Sequence, residues 1–472
     1  MDFKKASTFL DRIWDDEIIP ALTDYIRIPN KSPAFDKDWA AHGHMEKATQ
    51  MFAAWANAKL TAFPGSRLEI VRLEGRTPLI FIEIPGDAPG TVLMYGHLDK
   101  QPEMLGWTEP FGPWMPVVKD GKLYGRGGAD DGYAMFASLA ALLALKEQGA
   151  KRARTVIIIE ACEESGSPDL PFYIDHLSPR IGTVDLVVCL DSGCGNYEQL
   201  WLTTSLRGNL IGALTVRVLT EGVHSGAASG IVPSSFRILR MLLSRIEDEA
   251  TGRMKLPELF AEIPAERQKQ AQEAAAILGD EVWTGAPFAG STKPMAEGNA
   301  ELILEKTWRP QLAITAMDGY PLPANGGNVL LPYSTAKISL RLPPTLEAET
   351  ARSALKKTLE ADPPYDADVT FDVPRGDNGW NAPTLAPWLE ASLNKASMAA
   401  YGKPVAYQGE GGSIPFMAML GEKFPGTQFV VTGVLGPHSN AHGPNEFLHI
   451  GFAKKLSACI ATVLADHALE AA

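Results

Sequence analysis

The 472-residue chain has little cysteine and no chemistry built on it. Its four cysteines, Cys162, Cys189, Cys194 and Cys459, are too few and too scattered for a disulfide framework, and no two form a C-x-x-C pair. Reduced cysteines packed in a cytoplasmic protein are the expectation. No apolar run is long enough to span a bilayer. The opening stretch, MDFKKASTFLDRIWDDEIIPALTDYIRIP, scatters charges through its apolar positions; it lacks the apolar core of a secretion signal and reads as an amphipathic helix ending near Pro29. Basic clusters are missing too. Lys and Arg total 43 against 56 Asp and Glu, a formal net charge of −13, which makes nucleic acid and anionic membrane poor partners and a cation or a peptide-like substrate better ones. Phosphate and nucleophile motifs are also absent. There is no G-x-x-x-x-G-K-[ST] loop, GRGGAD fails the dinucleotide fingerprint at Asp130, and GGSIP has Pro415 where a nucleophile elbow needs glycine.

What is present is a globular composition, 45% hydrophobic and 21% charged, in a chain long enough for two or three domains. From about residue 66 to 205, strand-like runs (RLEIVRLE, LIFIEIPG, GTVLMYGHLDK, RTVIIIEACEE, VDLVVCLDSG) alternate with helical ones such as GYAMFASLAALLALKEQGA. That alternation predicts an α/β layer with a mixed, largely parallel sheet flanked by helices. From Arg207 the texture changes. Strand NLIGALTVRVLT, helix SSFRILRMLLSRIEDEA, a charged Ala-rich helical insert over roughly 256–280, strand STAKISLRLPP, helix EAETARSALKKTLEA and strand DADVTFDV predict an inserted α+β, ferredoxin-like domain over 207–382. DVPRGDNGWNAPTLAP reads as a linker. The helices and strand after it return to the first domain, which is therefore expected to be discontinuous, 1–206 and 383–472.

Acidic and histidine residues sit just past the predicted strands: His97 and Asp99, Asp130 and Asp131, Glu163 and Glu164, Asp191, and, in a late Gly/Pro-rich loop, His438 and His442. Ligands collect at the carboxyl ends of strands in open α/β sheets, so these groups can converge. A single such histidine or acid is ordinarily a hydrogen-bonded structural residue or a helix cap. The recurrence at successive strand ends points instead to divalent metal. The adjacent Glu163 and Glu164 fit that picture. One carboxylate can bind a cation while the other accepts a proton from water, and the cation offsets their repulsion.

YGHLDKQP, LYGRGGADDG, EACEESGSPDL, CLDSG, EGVHSG, EGGSIP and SNAHGPNE occur in the order and spacing of the carnosinase/aminoacylase family of dinuclear metallopeptidases, and the chain most resembles its dipeptidase branch. The resemblance implies two divalent ions per subunit, zinc first, with manganese or cobalt as alternatives. It implies His97, Asp130, Glu164, Asp191 and His442 as ligands, Asp130 bridging and followed by a cis peptide bond. Asp99 is implied to orient His97 and Glu163 to be the general base. It further implies a homodimer through the inserted lid domain, with His224 reaching the partner's active site to stabilise the oxyanion. Arg341, Gly411, Gly412 and Ser413 are implied to hold the substrate's terminal carboxylate, with Asn328 a further substrate contact. The implied activity is metal-dependent hydrolysis of dipeptides or short peptides; N-acyl amino acid deacylation or carboxypeptidase action on the same site, and non-catalytic peptide binding, are the rivals. Two departures stand out. Gly132 replaces the lysine that the family usually has after the Asp pair, and RGDNGWNAP lacks a substrate-contacting histidine, its place falling at Trp380 or Asn381.

Overall fold

Val156, Ile157, Ile158 and Ile159 are β-branched in succession, which disfavours helix and suits a strand covered on both faces. All four are buried in the strand Ala153–Glu160. The structure, a computed structural model, describes residues 1–470. This strand lies inside a six-stranded sheet in the order Arg67–Val71, Leu79–Ile84, Ala153–Glu160, Ala88–His97, Leu186–Cys189, Gln428–Val431. The last four strands run parallel to one another, and the first two close one edge antiparallel. The helix Ala134–Glu147 is apolar around nearly its whole circumference and packs against strands Ala88–His97 and Ala153–Glu160, as does the helix Ile450–Glu470. Among the described residues no helix is long and apolar enough to cross a membrane.

The chain divides into two compact units. The first comprises Met1–Thr203, Ala382–Gln408 and Met419–Ala472; the second comprises Thr204–Asn381 and Gly409–Ala418. The segment Gly409–Ala418, which the sequence reading leaves with the outer parts of the chain, thus groups with the inserted part.

The second unit is built on an antiparallel sheet in the order Gln311–Asp318, Tyr333–Leu342, Gly208–Arg217, Asp368–Asp377. Helices Ser235–Ile246 and Ala348–Glu360 pack on it around Leu210, Leu214, Leu239, Leu242, Leu340 and Leu355. Ser234 caps the first of these helices by accepting from the Arg237 amide. Taken in chain order this is the β-α-β-β-α-β arrangement of a ferredoxin-like fold, with the helices Ala265–Leu278 and Asn299–Thr307 inserted after the first helix. Two details differ from the sequence reading. The strand Gln311–Asp318 is half-buried at its first two residues and exposed over the other six, apolar ones included, so it shows no alternation of buried and exposed positions. The first half of the expected linker is strand, because Asp368–Asp377 runs on past Val373 through a bulge.

Candidate metal centre

Three of the parallel strands end in chemistry. Ala88–His97 delivers His97, Ala153–Glu160 leads into the turn bearing Glu163 and Glu164, and Leu186–Cys189 leads to Asp191. The fourth ligand-bearing piece is a loop, Gly128–Gly132, whose Asp130–Asp131 peptide bond is cis.

Around Asp130 two groups of potential ligand atoms form, each within 4.8 Å: His97, Asp130 and Asp191, and Asp130, Glu164 and His442. Asp130 belongs to both. Its Oδ1 lies 3.3 Å from His97 Nε2, and its Oδ2 lies 3.0 Å from His442 Nε2. Asp191 Oδ1 is 3.7 Å from His97 Nε2, and Glu164 Oε2 is 3.3 Å from His442 Nε2. Glu163 approaches from the side, its Oε2 3.9 Å from His97 Nε2.

The donor set fits divalent cations. His97 Nε2 is buried among carboxylates yet makes no hydrogen bond, as a ring nitrogen kept for a metal does. Carboxylates this close repel unless a cation joins them. Burial and Asp191 push Glu163 well above the usual carboxylate range, and burial and Asp130 raise Glu164. Burial opposes charge on the imidazoles, but the acids win. Asp191, Asp130 and Asp99 hold His97 well above its ordinary value, and Asp130 and Glu164 raise His442 to about 11.

Asp99 is fully buried and ties the site's backbone together. Its Oδ1 and Oδ2 accept from the amides of Glu163 and Glu164 at 3.1 and 3.0 Å, and Oδ1 lies 3.4 Å from His97 Nδ1. Asp99 thus holds the turn carrying the two glutamates through its carboxylate and the histidine through its backbone carbonyl, 3.2 Å from His97 Nδ1. Gly132, the departure from the family pattern, has no room for a side chain: a Cβ there would stand 2.2 Å from the Tyr25 ring and 2.6 Å from the Gly127 carbonyl. His438 is exposed and belongs to neither ligand group.

Several contacts that support this site are not announced by the sequence, although Asp131 stands there as half of an acidic pair. Gln101 donates to Glu164 Oε2 at 2.6 Å. Asp131, wholly buried, accepts from the His97 amide through Oδ2. Arg126 and Glu446, both fully buried, form an ion pair. Arg126 also donates to the carbonyls of Gly443 and Pro102 at 2.8 and 3.2 Å, and Glu446 accepts from the Gly127 amide at 2.9 Å. This pair joins the loop that carries Asp130 to the loop that carries His442. A small sheet, Phe447–His449 against Lys122–Tyr124, continues the same seam. An arginine four residues before Asp130 and a glutamate four after His442 were the only hints in the sequence.

The remaining expected residues lie in the second unit. His224 and Asn328 are exposed neighbours, beside the short ribbon Val223–His224 with Val329–Leu330. His224 Nδ1 accepts from the Ala227 amide at 3.2 Å, and the Asn328 carbonyl accepts from Ser225 at 2.8 Å. Arg341 Nη1 donates to Ser413 Oγ at 3.3 Å, and Ser413 Oγ donates to the Arg207 carbonyl at 2.5 Å. Gly411 and Gly412 border the same contact, through their carbonyls to Arg207.

An open α/β sheet whose strand ends gather two cation-ready groups around one shared aspartate defines a class, the metal-dependent hydrolases. The chain belongs to peptidase family M20/M25/M40, whose pattern it matches over residues 93–466. It is similar to a cysteinylglycine-S-conjugate dipeptidase of Corynebacterium striatum, with 26% identity over 92% of this chain and 96% of that one. Its fold is that of the di-peptidase Dug1p of Saccharomyces cerevisiae, with a TM-score of 0.80 and 20% identity, covering 99% of both chains. It is also that of human carnosine dipeptidase 1, with a TM-score of 0.77 and 21% identity, covering 99% of this chain and 100% of that one. The chain is a hydrolase of the metallopeptidase kind, similar to the dipeptidases of the family.

Proposed function

We propose that the protein hydrolyses dipeptides and short peptides bearing a free C-terminal carboxylate, using two divalent cations, zinc first. The observation that carries this is the sharing of Asp130 between the His97–Asp191 group and the Glu164–His442 group. In this reading His97 and Asp191 hold one ion, Glu164 and His442 the other, and Asp130 both. When bound, the ions make water acidic enough to attack at neutral pH and polarise the scissile carbonyl. Glu163, beside the shared carboxylate, takes the proton from the attacking water and passes it to the leaving amine. Asp99 keeps His97 and Glu163 in register during both transfers. Arg341, with Ser413 and the Gly411–Gly412 backbone, grips the terminal carboxylate through a planar fork.

The second unit acts as lid and dimerisation domain, and His224 of one subunit, with Asn328 beside it, reaches the active site of the other to hold the oxyanion. The exposed edge strand Gln311–Asp318, with Ile314 and Met317 open to solvent, supports pairing through this unit. Four buried free cysteines support a reducing, cytoplasmic setting.

The test is a panel of free dipeptides and N-acetyl amino acids, offered to chelator-stripped protein refilled with zinc, manganese or cobalt. Dipeptide cleavage restored by metal is expected. Cleavage of acetyl amino acids alone would reassign the protein as a deacylase. Stabilisation by peptide without cleavage would make it a binding protein.

A further inference from the structure

Arg207 lies on the boundary between the strand Trp201–Leu206 and the strand Gly208–Arg217, and the reaction as described gives it no task. It is 8% exposed. A buried guanidinium normally finds a carboxylate, because its charge is expensive away from water. Arg207 has none. Its Nε donates to the Gly411 carbonyl at 3.2 Å, while its Nη1 is buried and makes no hydrogen bond. No acidic group acts on it, and the charge that does is the like charge of Arg341. Among the described residues the Arg341 guanidinium in turn meets no carboxylate and donates to Ser413. The Ser413 hydroxyl stands between them, accepting from Arg341 and donating to the Arg207 carbonyl. The Gly411 position allows the close fit, since a Cβ there would stand 3.1 Å from Arg207 Nη2.

The Arg341 guanidinium is bonded to a serine that also holds the Arg207 backbone, the Arg207 guanidinium has a buried Nη1 without an acceptor, and neither has an acid among the described residues; together these describe an anion site. We propose that Arg207 is a second specificity-determining cation, so that the C-terminal carboxylate of the substrate is held by the pair Arg207 and Arg341 rather than by Arg341 alone. The carboxylate supplies the acceptor that Arg207 Nη1 lacks and the negative charge that relieves the repulsion. The proposal rests on the reading of Arg341 as the carboxylate grip. It adds that selectivity for a charged terminus is built from two arginines on one loop contact.

The experiment compares alanyl-alanine with its C-terminal amide as substrates of the metal-loaded protein, Arg207→Gln and Arg207→Lys, each first checked for cooperative melting. Arg207→Gln keeps a donor for the Gly411 carbonyl and removes the charge. It is expected to raise KM for the acid at least about tenfold, to change kcat by less than about threefold, and to leave the amide's kcat/KM where it was. Arg207→Lys, which keeps the charge, is expected to recover most of the lost affinity. An unchanged KM for the acid, or equal losses on acid and amide, would overturn the proposal and leave Arg207 as a brace for the loop. If the unaltered protein treats acid and amide alike, the Arg341 reading itself falls and takes this one with it.

Discussion

Each unit of the molecule buries like charges, but on different terms. In the first, Asp130, Glu163, Glu164 and Asp191 crowd around two imidazoles, with donor atoms within 4.8 Å in each of two groups. Only a compact multivalent cation can serve so many oxygens at once. In the second, a serine bonds the Arg341 guanidinium and the Arg207 backbone, and each arginine offers a planar fork. A point ion does not suit that pair; a carboxylate does. The contrast teaches that spacing and donor shape, more than the sign of the charge, announce the missing partner.

The comparison can be broken at the acidic cluster first. Glu163→Gln is expected to lower kcat by about 10²–10⁴-fold while metal content, read by elemental analysis, stays at the parent level. Parent turnover would move the base elsewhere. Arg126→Met cuts the tie between the Asp130 and His442 loops. Metal affinity at the His442 group is expected to fall by about 10–100-fold, as for lost supporting contacts, with the His97 group less affected. Titration with a chelating indicator reads this, and uniform loss at both would deny the clamp its selectivity. Leu340→Ala, in the core of the second unit, sharpens the comparison from the other side. It is expected to cost about 2–5 kcal/mol of stability in denaturant melts without changing metal stoichiometry.

The smallest effect is a slope with pH. Burial lifts Glu160 and Glu446 to about 7, so the folded state holds more protons than the unfolded one between the ordinary carboxylate range and that value. Stability from these groups therefore falls as pH rises through that window. His442, raised to about 11 by Asp130 and Glu164, adds a term that is full below its unfolded value and fades above it. Both run the same way, so metal-free protein is expected to melt several degrees lower at about pH 8 than at about pH 5, and added metal to flatten the slope. Equal melting temperatures at both pH values would count against these buried acids as described.

Much of the first unit was legible because its signals are local. Apolar strand-like runs, β-branched in Ala153–Glu160, marked the parallel strands, and three of the four lead into an acid or a histidine. In the second unit Gln311–Asp318 was invisible, since an exposed edge strand needs no alternation. The clamp of Arg126 and Glu446 was illegible for another reason. Its partners stand 320 positions apart, and nothing near either one announces the other. Arg207 marks only a change of texture in the sequence; its burial and the missing acceptor of its Nη1 are visible in the structure alone.

Gly132 sets a limit on transplantation. With the Tyr25 ring and the Gly127 carbonyl closing over it, the loop bearing the shared aspartate is fitted to this chain's own N-terminal helix. A chimera that imports the lysine-containing version of the loop from a relative must bring a matching first helix with it, and one that grafts the loop alone will set the ring against the new side chain.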